Sequence, residues 1–311
     1  SGCGKSTLSR CIMGLYRPDA GEIRYAGEPV RGLPSRAQRR TVQMVFQDPY
    51  SSLNPRMTVG QTLGELLRYH QIVPRDQVTA RSRELMDLVG LPHDALRRTP
   101  RQFSGGQRQR IGIARALALQ PRVLIADEPV SALDVSVQAT IINLLTDLRE
   151  ELGLSMVFVS HNIAVVRQVS DRIAVMYRGR IVETGPTERI FNDPRHPYTE
   201  LLLKSVPRML TDAEPHPVGT VDPLGSVDPL GTPGSLGTAD PLAVVDGEPD
   251  ADQSPFSAHA VDGEQGCRYR PRCPVAMPVC RDEPGLLPIA GDPIRSAACW
   301  HVDDDRKDEP R

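Results

Sequence analysis

Hydrophobic positions along the first two thirds of the chain follow two different spacings. Four-residue apolar runs at Val123–Ala126 and Met156–Val159 are typical of buried strands. In other segments apolar residues recur at helical spacing, so that Leu63 and Leu67 fall on one face of a helix. Residues 1–205 therefore predict an α/β fold, in which strands and helices alternate and helices cover both faces of a sheet.

The individual elements can be predicted from the same spacing. Strands are expected at Glu22–Tyr25, Val42–Phe46, Val123–Ala126, Met156–Val159, Ile173–Tyr177 and Arg180–Glu183. The last two would form a hairpin that turns at Gly179. Helices are expected at Ser6–Tyr16, Met57–His70, Gln77–Val89, Ser104–Leu119, Val135–Leu152 and Asn162–Val169.

The composition changes abruptly after this region. Residues 211–265 contain no Lys or Arg and repeat the string V-D-P-L-G, first at Val221–Gly225. Such a segment cannot bury a core, so we interpret residues 206–265 as a flexible acidic linker. A short cysteine-bearing module, residues 266–300, and a charged tail, residues 301–311, follow it.

Charge and hydropathy exclude several classes of protein. The net charge of −2 gives no reason to expect nucleic acid as a partner. No apolar run approaches the roughly 20 residues of a membrane-spanning helix, and no signal peptide opens the sequence. We therefore expect a cytosolic protein that reaches a membrane only by docking onto a membrane protein. In a reducing compartment its six cysteines are not expected to form structural disulfides.

The opening string S-G-C-G-K-S-T matches the end of the phosphate-binding pattern G-x-x-x-x-G-K-[ST]. A glycine-rich turn before a helix exposes backbone amides that bind phosphate oxygens. Lys5 would add a charge at the β- and γ-phosphates, and Ser6 would supply an oxygen ligand for Mg²⁺. The residues expected to contact the nucleotide here are Gly2, Cys3, Gly4, Lys5, Ser6 and Thr7.

Two acidic residues stand at the end of a buried strand in V-L-I-A-D-E, Val123–Glu128. Ligands of open α/β sheets bind beyond the carboxyl ends of the strands. Asp127 is thus placed to organise Mg²⁺ through water, and Glu128 to polarise a water against the γ-phosphate. The alternative is a solvated strand end with two surface acids.

A second anion-binding helix end is predicted at F-S-G-G-Q, Phe103–Gln107. Two adjacent glycines at a helix start present backbone N–H donors, and Ser104 would cap the helix. The alternative is an ordinary capped helix after a flexible turn.

Together these motifs resemble the ATP-binding subunit of ABC transporters, a P-loop NTPase with a RecA-like core and an α-helical subdomain, expected here at about residues 55–118. The string S-G-C-G-K-S-T resembles the Walker A loop, V-L-I-A-D-E resembles Walker B, and F-S-G-G-Q resembles the signature, which usually begins with Leu. V-F-Q-D-P resembles the Q-loop, with Gln47 as its glutamine. S-A-L-D resembles the D-loop, with Asp134 as its aspartate, and V-S-H resembles the segment that carries the switch histidine, here His161.

The resemblance implies an ATPase and assigns roles to its residues. Glu128 would be the general base, Gln47 would sense Mg²⁺ and the attacking water, and His161 would hold the γ-phosphate. Mg²⁺ would be bound by Ser6, Gln47 and Asp127.

The resemblance also implies a head-to-tail pair of ATP-binding subunits. Asp134 would link the two nucleotide sites of the pair. The residues that would touch the ATP of the partner subunit are Ser104, Gly106 and Gln107. In the family, two or three strands and an adenine-stacking aromatic residue precede Walker A, so the chain resembles a copy truncated at its N-terminus inside that loop.

Two further strings resemble peptide-permease ATPases: Q-D-P-Y-S-S-L-N-P-R-M at Gln47–Met57, and the segment Gly185–Leu203, which contains H-P-Y. The implied function is ATP hydrolysis that energises dipeptide or oligopeptide import, at the cytoplasmic face of the membrane. A nickel or other small-solute importer and a soluble ABC ATPase remain alternatives. The implied partners are a second ATP-binding subunit, sister or identical, two membrane permeases and an extracytoplasmic solute-binding protein.

The cysteine module carries Cys267, Cys273, Cys280 and Cys299 at a spacing C-x5-C-x6-C-x18-C. This is neither a paired C-x-x-C zinc spacing nor a ferredoxin run, and chemistry alone leaves zinc, an iron–sulfur cluster and unligated thiols open. The strings G-C-R-Y-R-P-R-C-P and A-C-W-H are similar to the tail of peptide-permease ATPases, some of which bind [4Fe–4S]. The resemblance therefore implies a [4Fe–4S] cluster on these four cysteines, which would supply a fold that so short a module lacks.

Overall fold

The computed structural model describes residues 2–30, 32–48, 53–205 and 266–301. The predicted linker, nearly all of the charged tail and residues 49–52 of the glutamine-containing string lie outside the described residues. The helices are α1 (Lys5–Ile12), α2 (Arg36–Thr41), α3 (Val59–Tyr69), α4 (Val78–Leu88), α5 (Gly105–Leu117), α6 (Val135–Leu152), α7 (Ile163–Val169), α8 (Thr187–Asn192) and α9 (Pro197–Lys204). The strands are β1 (Arg24–Tyr25), β2 (Glu28–Pro29), β3 (Val42–Val45), β4 (Val123–Asp127), β5 (Ser155–Val159), β6 (Arg172–Tyr177), β7 (Arg180–Pro186), β8 (Leu287–Ile289) and β9 (Asp292–Ala297).

A three-stranded parallel sheet, in the order β3–β4–β5, lies at the centre of the N-terminal region. Its middle strand is apolar because it is covered on both faces, and Leu124, Ile125 and Ala126 are fully buried. Parallel strands end at the same edge of a sheet, so the residues that follow β3, β4 and β5 meet there.

Helices α3, α4 and α5 pack on one another and share one hydrophobic core with the sheet. Leu63 and Leu67 of α3 are buried in this core, as their spacing predicts, together with Leu85 of α4 and Ile111 of α5. Leu124 of β4 belongs to the same core. The helices of the predicted subdomain and the sheet are thus joined by continuous apolar packing.

A second, antiparallel sheet has the order β6–β7–β9–β8. The predicted hairpin is present, with Tyr177 opposite Arg180. Its two turn residues, Arg178 and Gly179, both have positive φ angles, +43° and +81°, as a type I′ turn requires. Across the described residues β5 and β6 do not pair, and a cavity of about 1230 Å³ is lined by both strands and by α9.

The cysteine module supplies strands β8 and β9, and β9 pairs with β7. The module thus extends a sheet of the preceding region and shares its apolar packing, a source of stability that its own composition does not predict.

A buried ion pair fastens β9 to the N-terminal region. Arg295 is 2% exposed and lies 3.2 Å from Glu183, which is fully buried in β7, and 3.1 Å from Asp193. The carboxylate of Glu183 also accepts hydrogen bonds from the backbone N–H groups of Arg195 and His196, each at 3.0 Å. One carboxylate therefore joins β9, β7 and the segment that leads into α9.

Candidate active site

The phosphate-binding loop has the backbone that its glycines predict. Gly2 and Gly4 have φ angles of +86° and +95°, which side-chain-bearing residues rarely adopt, and α1 begins at Lys5 directly after the loop. The backbone N–H of Gly179 donates to the carbonyl of Cys3 at 2.8 Å. The Lys5 ammonium lies 3.5 Å from the Cys3 sulfur. Thr7 is exposed on the first turn of α1.

Ser6 and Asp127 are brought together from positions far apart in the chain. The Ser6 hydroxyl donates to Oδ1 of Asp127 at 3.2 Å. Asp127 is 4% exposed, and this burial raises the pKa of its carboxyl group, while the hydrogen bond from Ser6 opposes the rise. A hydroxyl and a carboxylate suit Mg²⁺, which usually takes one or two protein oxygens and completes its shell with phosphates and water. The donor set therefore fits the predicted magnesium site.

Two predicted catalytic residues, Gln47 and His161, contact a third, Glu128. Its Oε2 atom accepts a hydrogen bond from Nε2 of Gln47 at 3.3 Å and lies 3.2 Å from Nδ1 of His161. Gln47 follows β3, Glu128 follows β4 and His161 follows β5, so the common edge of the parallel sheet places all three.

The backbone of Glu128 is held in an unusual conformation. Its φ angle is +45°, in the left-handed region that costs a non-glycine residue of the order of 1–3 kcal/mol. Its N–H donates to the carbonyl of Val159 at 2.9 Å, and its carbonyl accepts from the Ser131 hydroxyl at 3.1 Å. These bonds hold the side chain, 13% exposed, in place.

The signature residues form a rigid start to α5. The Ser104 hydroxyl accepts from the Gln107 N–H at 3.3 Å, and the Gln107 side chain accepts from the Ser104 N–H at 3.0 Å. A Cβ atom on Gly106 would lie 2.5 Å from Cγ1 of Val137, so glycine is needed where α5 packs on α6. Asp134 is exposed directly before α6. These four residues lie at the starts of α5 and α6, which pack on each other, whereas the predicted catalytic residues lie around Glu128.

Comparison with known families identifies this arrangement. The family model described as "ABC transporter" matches residues 1–131. Of the proteins with similar sequences, one from Brucella abortus, provisionally named a peptide import ATP-binding protein, is 45% identical over 303 residues, which are 96% of this chain and 80% of that protein. The chain belongs to the ATP-binding subunits of ABC transporters. This is an ATPase family, and membership implies ATP and Mg²⁺ as its nucleotide and metal.

Other ABC transporter proteins agree with this assignment. The oligopeptide transport ATP-binding protein OppF of Escherichia coli is 41% identical, over 97% of this chain and 82% of its own length. The di/tripeptide transport ATP-binding protein DppF of Pseudomonas aeruginosa is also 41% identical, over 97% of this chain and 84% of its own. The solved structure of cbiO1 from Clostridium perfringens, part of the ABC transporter complex cbiONQ, superposes with a TM-score of 0.54 at 28% identity, covering 62% of this chain and 76% of that one.

The second half of this ABC subunit matches a more specific model, "Oligopeptide/dipeptide transporter, C-terminal region", at residues 182–222 and 243–280. This match includes the H-P-Y string. His196 is buried before α9, and its Nδ1 atom accepts from the N–H of Tyr198 at 3.0 Å, while Pro197 fits the first helical turn. The tyrosine ring then packs 4.5 Å from that of Tyr177.

Sequence reasoning missed that this tyrosine lies beside the phosphate-binding loop. Burial raises the pKa of Tyr198 to about 12, and the neighbouring Cys3, Tyr177 and Tyr269 contribute to the rise. Cys3 and Tyr198 also line the same cavity. The spacing of the H-P-Y string carries no signal for this contact, because it depends on how α9 packs.

Two of the module's cysteines lie in an aromatic cluster, which we define as Tyr177, Tyr198 and Tyr269. Cys267 and Cys273 pack against this cluster together with apolar side chains. Burial raises the pKa of the Cys267 thiol.

Of the other two cysteines, Cys280 lies next to Cys267, whose backbone N–H donates to the Cys280 carbonyl at 3.0 Å. Cys299 packs with Ile289 and Ala297, and the Cys280 sulfur accepts from the N–H of Met277 at 3.4 Å. In the described part of the chain, which includes all four cysteines, no three His, Cys, Asp or Glu side chains are grouped so that they could share a metal ion. This arrangement gives no support to the predicted [4Fe–4S] cluster or its zinc alternative, which stays a prediction from the resemblance.

Among the residues that the structure describes, none of the helices combines the length and the apolar character that crossing a bilayer demands.

Proposed function

We propose that this chain hydrolyses ATP to energise the import of dipeptides or oligopeptides through an ABC transporter. The observation that carries the proposal is the convergence of Gln47 and His161 on one carboxylate oxygen of Glu128. The choice of peptide as the transported solute is supported by the relatives, which are named as peptide transport proteins, and by the match to the oligopeptide/dipeptide C-terminal region.

In this proposal Glu128 is the general base of hydrolysis. Attack on the γ-phosphate requires a water molecule in line with the bond that breaks, and a carboxylate to take its proton. Gln47 orients that water, and His161 holds the γ-phosphate. Because both side chains contact the same oxygen of Glu128, movement of either one changes the position of the base.

The remaining nucleotide contacts follow from the loop. Lys5 would bind the β- and γ-phosphates, and Ser6, Asp127 and Gln47 would hold Mg²⁺. When bound, this ion neutralises charge on the phosphate oxygens. The other proposed phosphate contacts are the backbone groups of Gly2, Cys3 and Gly4 and the side chain of Thr7.

The signature residues serve a second nucleotide. We assign Ser104, Gly106 and Gln107 to the ATP of a partner subunit, because the start of a capped helix presents N–H groups to an anion. Asp134, at the neighbouring start of α6, links the two sites. The partner subunit is a sister or an identical protein.

Transport needs three further components. We assign two membrane permeases and an extracytoplasmic solute-binding protein as partners, with this chain bound peripherally at the cytoplasmic face of the membrane. Closure of the ATP-binding pair on ATP, and its opening after hydrolysis, would move the permeases.

Uptake by the assembled transporter tests the proposal. The complex is reconstituted in vesicles with its solute-binding protein, and uptake of radiolabelled dipeptides, oligopeptides and Ni²⁺ is measured with ATP on the side of this subunit. We expect ATP-dependent uptake of a peptide, and no uptake when this subunit carries Glu128→Gln.

The other outcomes separate the alternatives. Uptake of Ni²⁺ without peptide would replace peptide import by nickel import. ATP hydrolysis by this chain that neither membrane partners nor transported solutes affect would favour a soluble ABC ATPase and overturn the proposal.

A further inference from the structure

The turn between β6 and β7 contacts the phosphate-binding loop. The N–H of Gly179 donates to the carbonyl of Cys3 at 2.8 Å, in the middle of the loop. Gly4 approaches the same turn closely, since a Cβ atom there would lie 3.7 Å from Cα of Gly179. The position of this turn therefore affects the position of the amides that face the nucleotide.

The turn is strained at its first residue. Arg178 has a φ angle of +43°, a conformation that side-chain-bearing residues keep only when their surroundings hold them in it. Without such support the turn can relax, and the N–H of Gly179 would then leave the Cys3 carbonyl.

A side chain of the cysteine module supplies this support. Nη1 of Arg268 donates to the carbonyl of Arg178. Glu283 lies 3.7 Å from Nε of Arg268 and 3.1 Å from Nη2 of Arg180, so it ties the arginine to the far side of the turn. The module thus contacts the turn through two charged residues.

The same module also packs against the end of β6 and against α9. Tyr269, next to Arg268, packs edge-on against Tyr177 with ring centroids 5.4 Å apart, and against Tyr198 at 5.6 Å. Tyr198 and Cys3 line the same cavity. Residues 268 and 269 therefore contact two of the elements that surround the loop.

We infer that Arg268 is a positioning residue for the phosphate-binding loop: it holds the strained Arg178–Gly179 turn, which in turn fixes the Cys3 carbonyl. The inference rests on the proposed function, since it takes this loop to bind ATP. It gives the C-terminal module a part in nucleotide binding.

A purely structural role for Arg268 makes a different prediction. If Arg268 only fastened the module, its loss would lower thermal stability without a specific effect on ATP binding. The module is also fastened by the β7–β9 pairing and by the Arg295–Glu183 ion pair, which removal of Arg268 leaves in place. ATP affinity and thermal stability can therefore be separated.

The test measures the Michaelis constant for ATP, kcat, ATP affinity and melting temperature for the assembled transporter. Arg268→Ala is compared with Arg281→Ala, which removes an exposed arginine of the same module. We expect Arg268→Ala to raise the Michaelis constant and the dissociation constant for ATP about fivefold, with kcat changed less and the melting temperature equal to that of the control. Arg268→Lys, which keeps a donor, should recover part of the affinity.

A second substitution tests the route through the turn. Glycine adopts positive φ angles freely, so Arg178→Gly relieves the strain that Arg268 supports. We expect Arg268→Ala with Arg178→Gly to regain most of the ATP affinity that Arg268→Ala alone has lost.

The inference is overturned if Arg268→Ala binds ATP as Arg281→Ala does, or if its loss of affinity is matched by a loss of thermal stability that Arg178→Gly does not repair. Failure of the proposed function would give different results from failure of this inference. In that case the unmodified complex shows no ATP turnover, or Glu128→Gln leaves turnover intact.

Discussion

The Nε2 atom of Gln47 lies 3.3 Å from Oε2 of Glu128, although 81 positions separate the two residues in the chain. One residue follows β3 and the other follows β4, two neighbouring parallel strands. The contact is therefore a direct consequence of the sheet order, and movement of the loop that carries the glutamine would be transmitted to the carboxylate.

The contact between α5 and α6 gives the first prediction. In Gly106→Ala the new Cβ atom would meet Cγ1 of Val137 at 2.5 Å, so we expect a loss of about 1–3 kcal/mol in the free energy of unfolding. Denaturant unfolding measures this loss, and ATP turnover should fall with it, because the start of α5 is displaced.

A double-mutant cycle identifies the cause. Val137→Ala removes the atom that clashes, so Gly106→Ala with Val137→Ala should be more stable than the sum of the two single changes allows. Additive losses would show that the clash is not the reason for glycine at this position.

The buried ion pair between β7 and β9 gives the second prediction. Arg295→Ala leaves the fully buried carboxylate of Glu183 without its cation, so we expect unfolding to become easier by about 3–5 kcal/mol. Arg295→Met with Glu183→Gln removes both charges but keeps an acceptor for only one of the two backbone N–H groups, so it should recover part of this loss. Chemical denaturation of the three proteins measures the difference, and equal stability of all three would contradict the account.

Alkaline unfolding provides the third prediction. The pKa of Tyr198 is about 12 in the folded protein and 10.0 without the fold's influence, so between these values the unfolded chain has lost a proton that the folded chain keeps. Stability therefore falls as pH rises from about 10 to about 12. Tyr198→Phe cannot ionise and should lose less stability over this interval, although Tyr269, whose pKa burial also raises, leaves a residual slope.

Melting temperature against pH checks this prediction. Parallel curves for the unmodified protein and Tyr198→Phe between pH 10 and 12 would show that the phenol is not held in its protonated form by the fold.

The central sheet could be predicted from sequence because its signal is local. The apolar run of β4 identifies a strand that is buried on both faces. The run at Met156–Val159 also predicts β5, but the expected burial is wrong there, because Val157 is 39% exposed. The bounds of β3, β4 and β5 differ from those expected by one residue at most. Motif recognition then put Gln47, Glu128 and His161 after these strands, where their meeting follows from the parallel order.

Features that depend on distant partners could not be predicted in this way. Strand β9 contains Asp292, Pro293 and Arg295 and has no strand-like pattern, and it forms because β7 offers an edge and Glu183 offers a buried carboxylate. The first helix was expected to reach Tyr16 but ends at Ile12, because Gly14 takes a left-handed turn with φ of +71°. The strained backbone of Glu128 is likewise set by its bonds to Val159 and Ser131.

The cysteine module shows that spacing and family resemblance do not by themselves establish a metal site. The spacing left a metal open and the resemblance implied one, whereas among the described residues no three His, Cys, Asp or Glu side chains are grouped so that they could share a metal ion. The sequence carries no signal for the contact between Arg268 and the Arg178–Gly179 turn, which connects this module to the nucleotide loop.

Phosphate release by the assembled transporter carrying Glu128→Gln tests the central claim most directly. The amide keeps the size of the side chain and can still accept a hydrogen bond from Gln47, but it cannot take a proton from water. The account predicts that ATP still binds while turnover falls at least about 100-fold, the usual contribution of a general base, and that Glu84→Gln, a change at an exposed glutamate of α4, turns over ATP as the unmodified protein does. Turnover by Glu128→Gln equal to that of Glu84→Gln would contradict the assignment of Glu128 as the base.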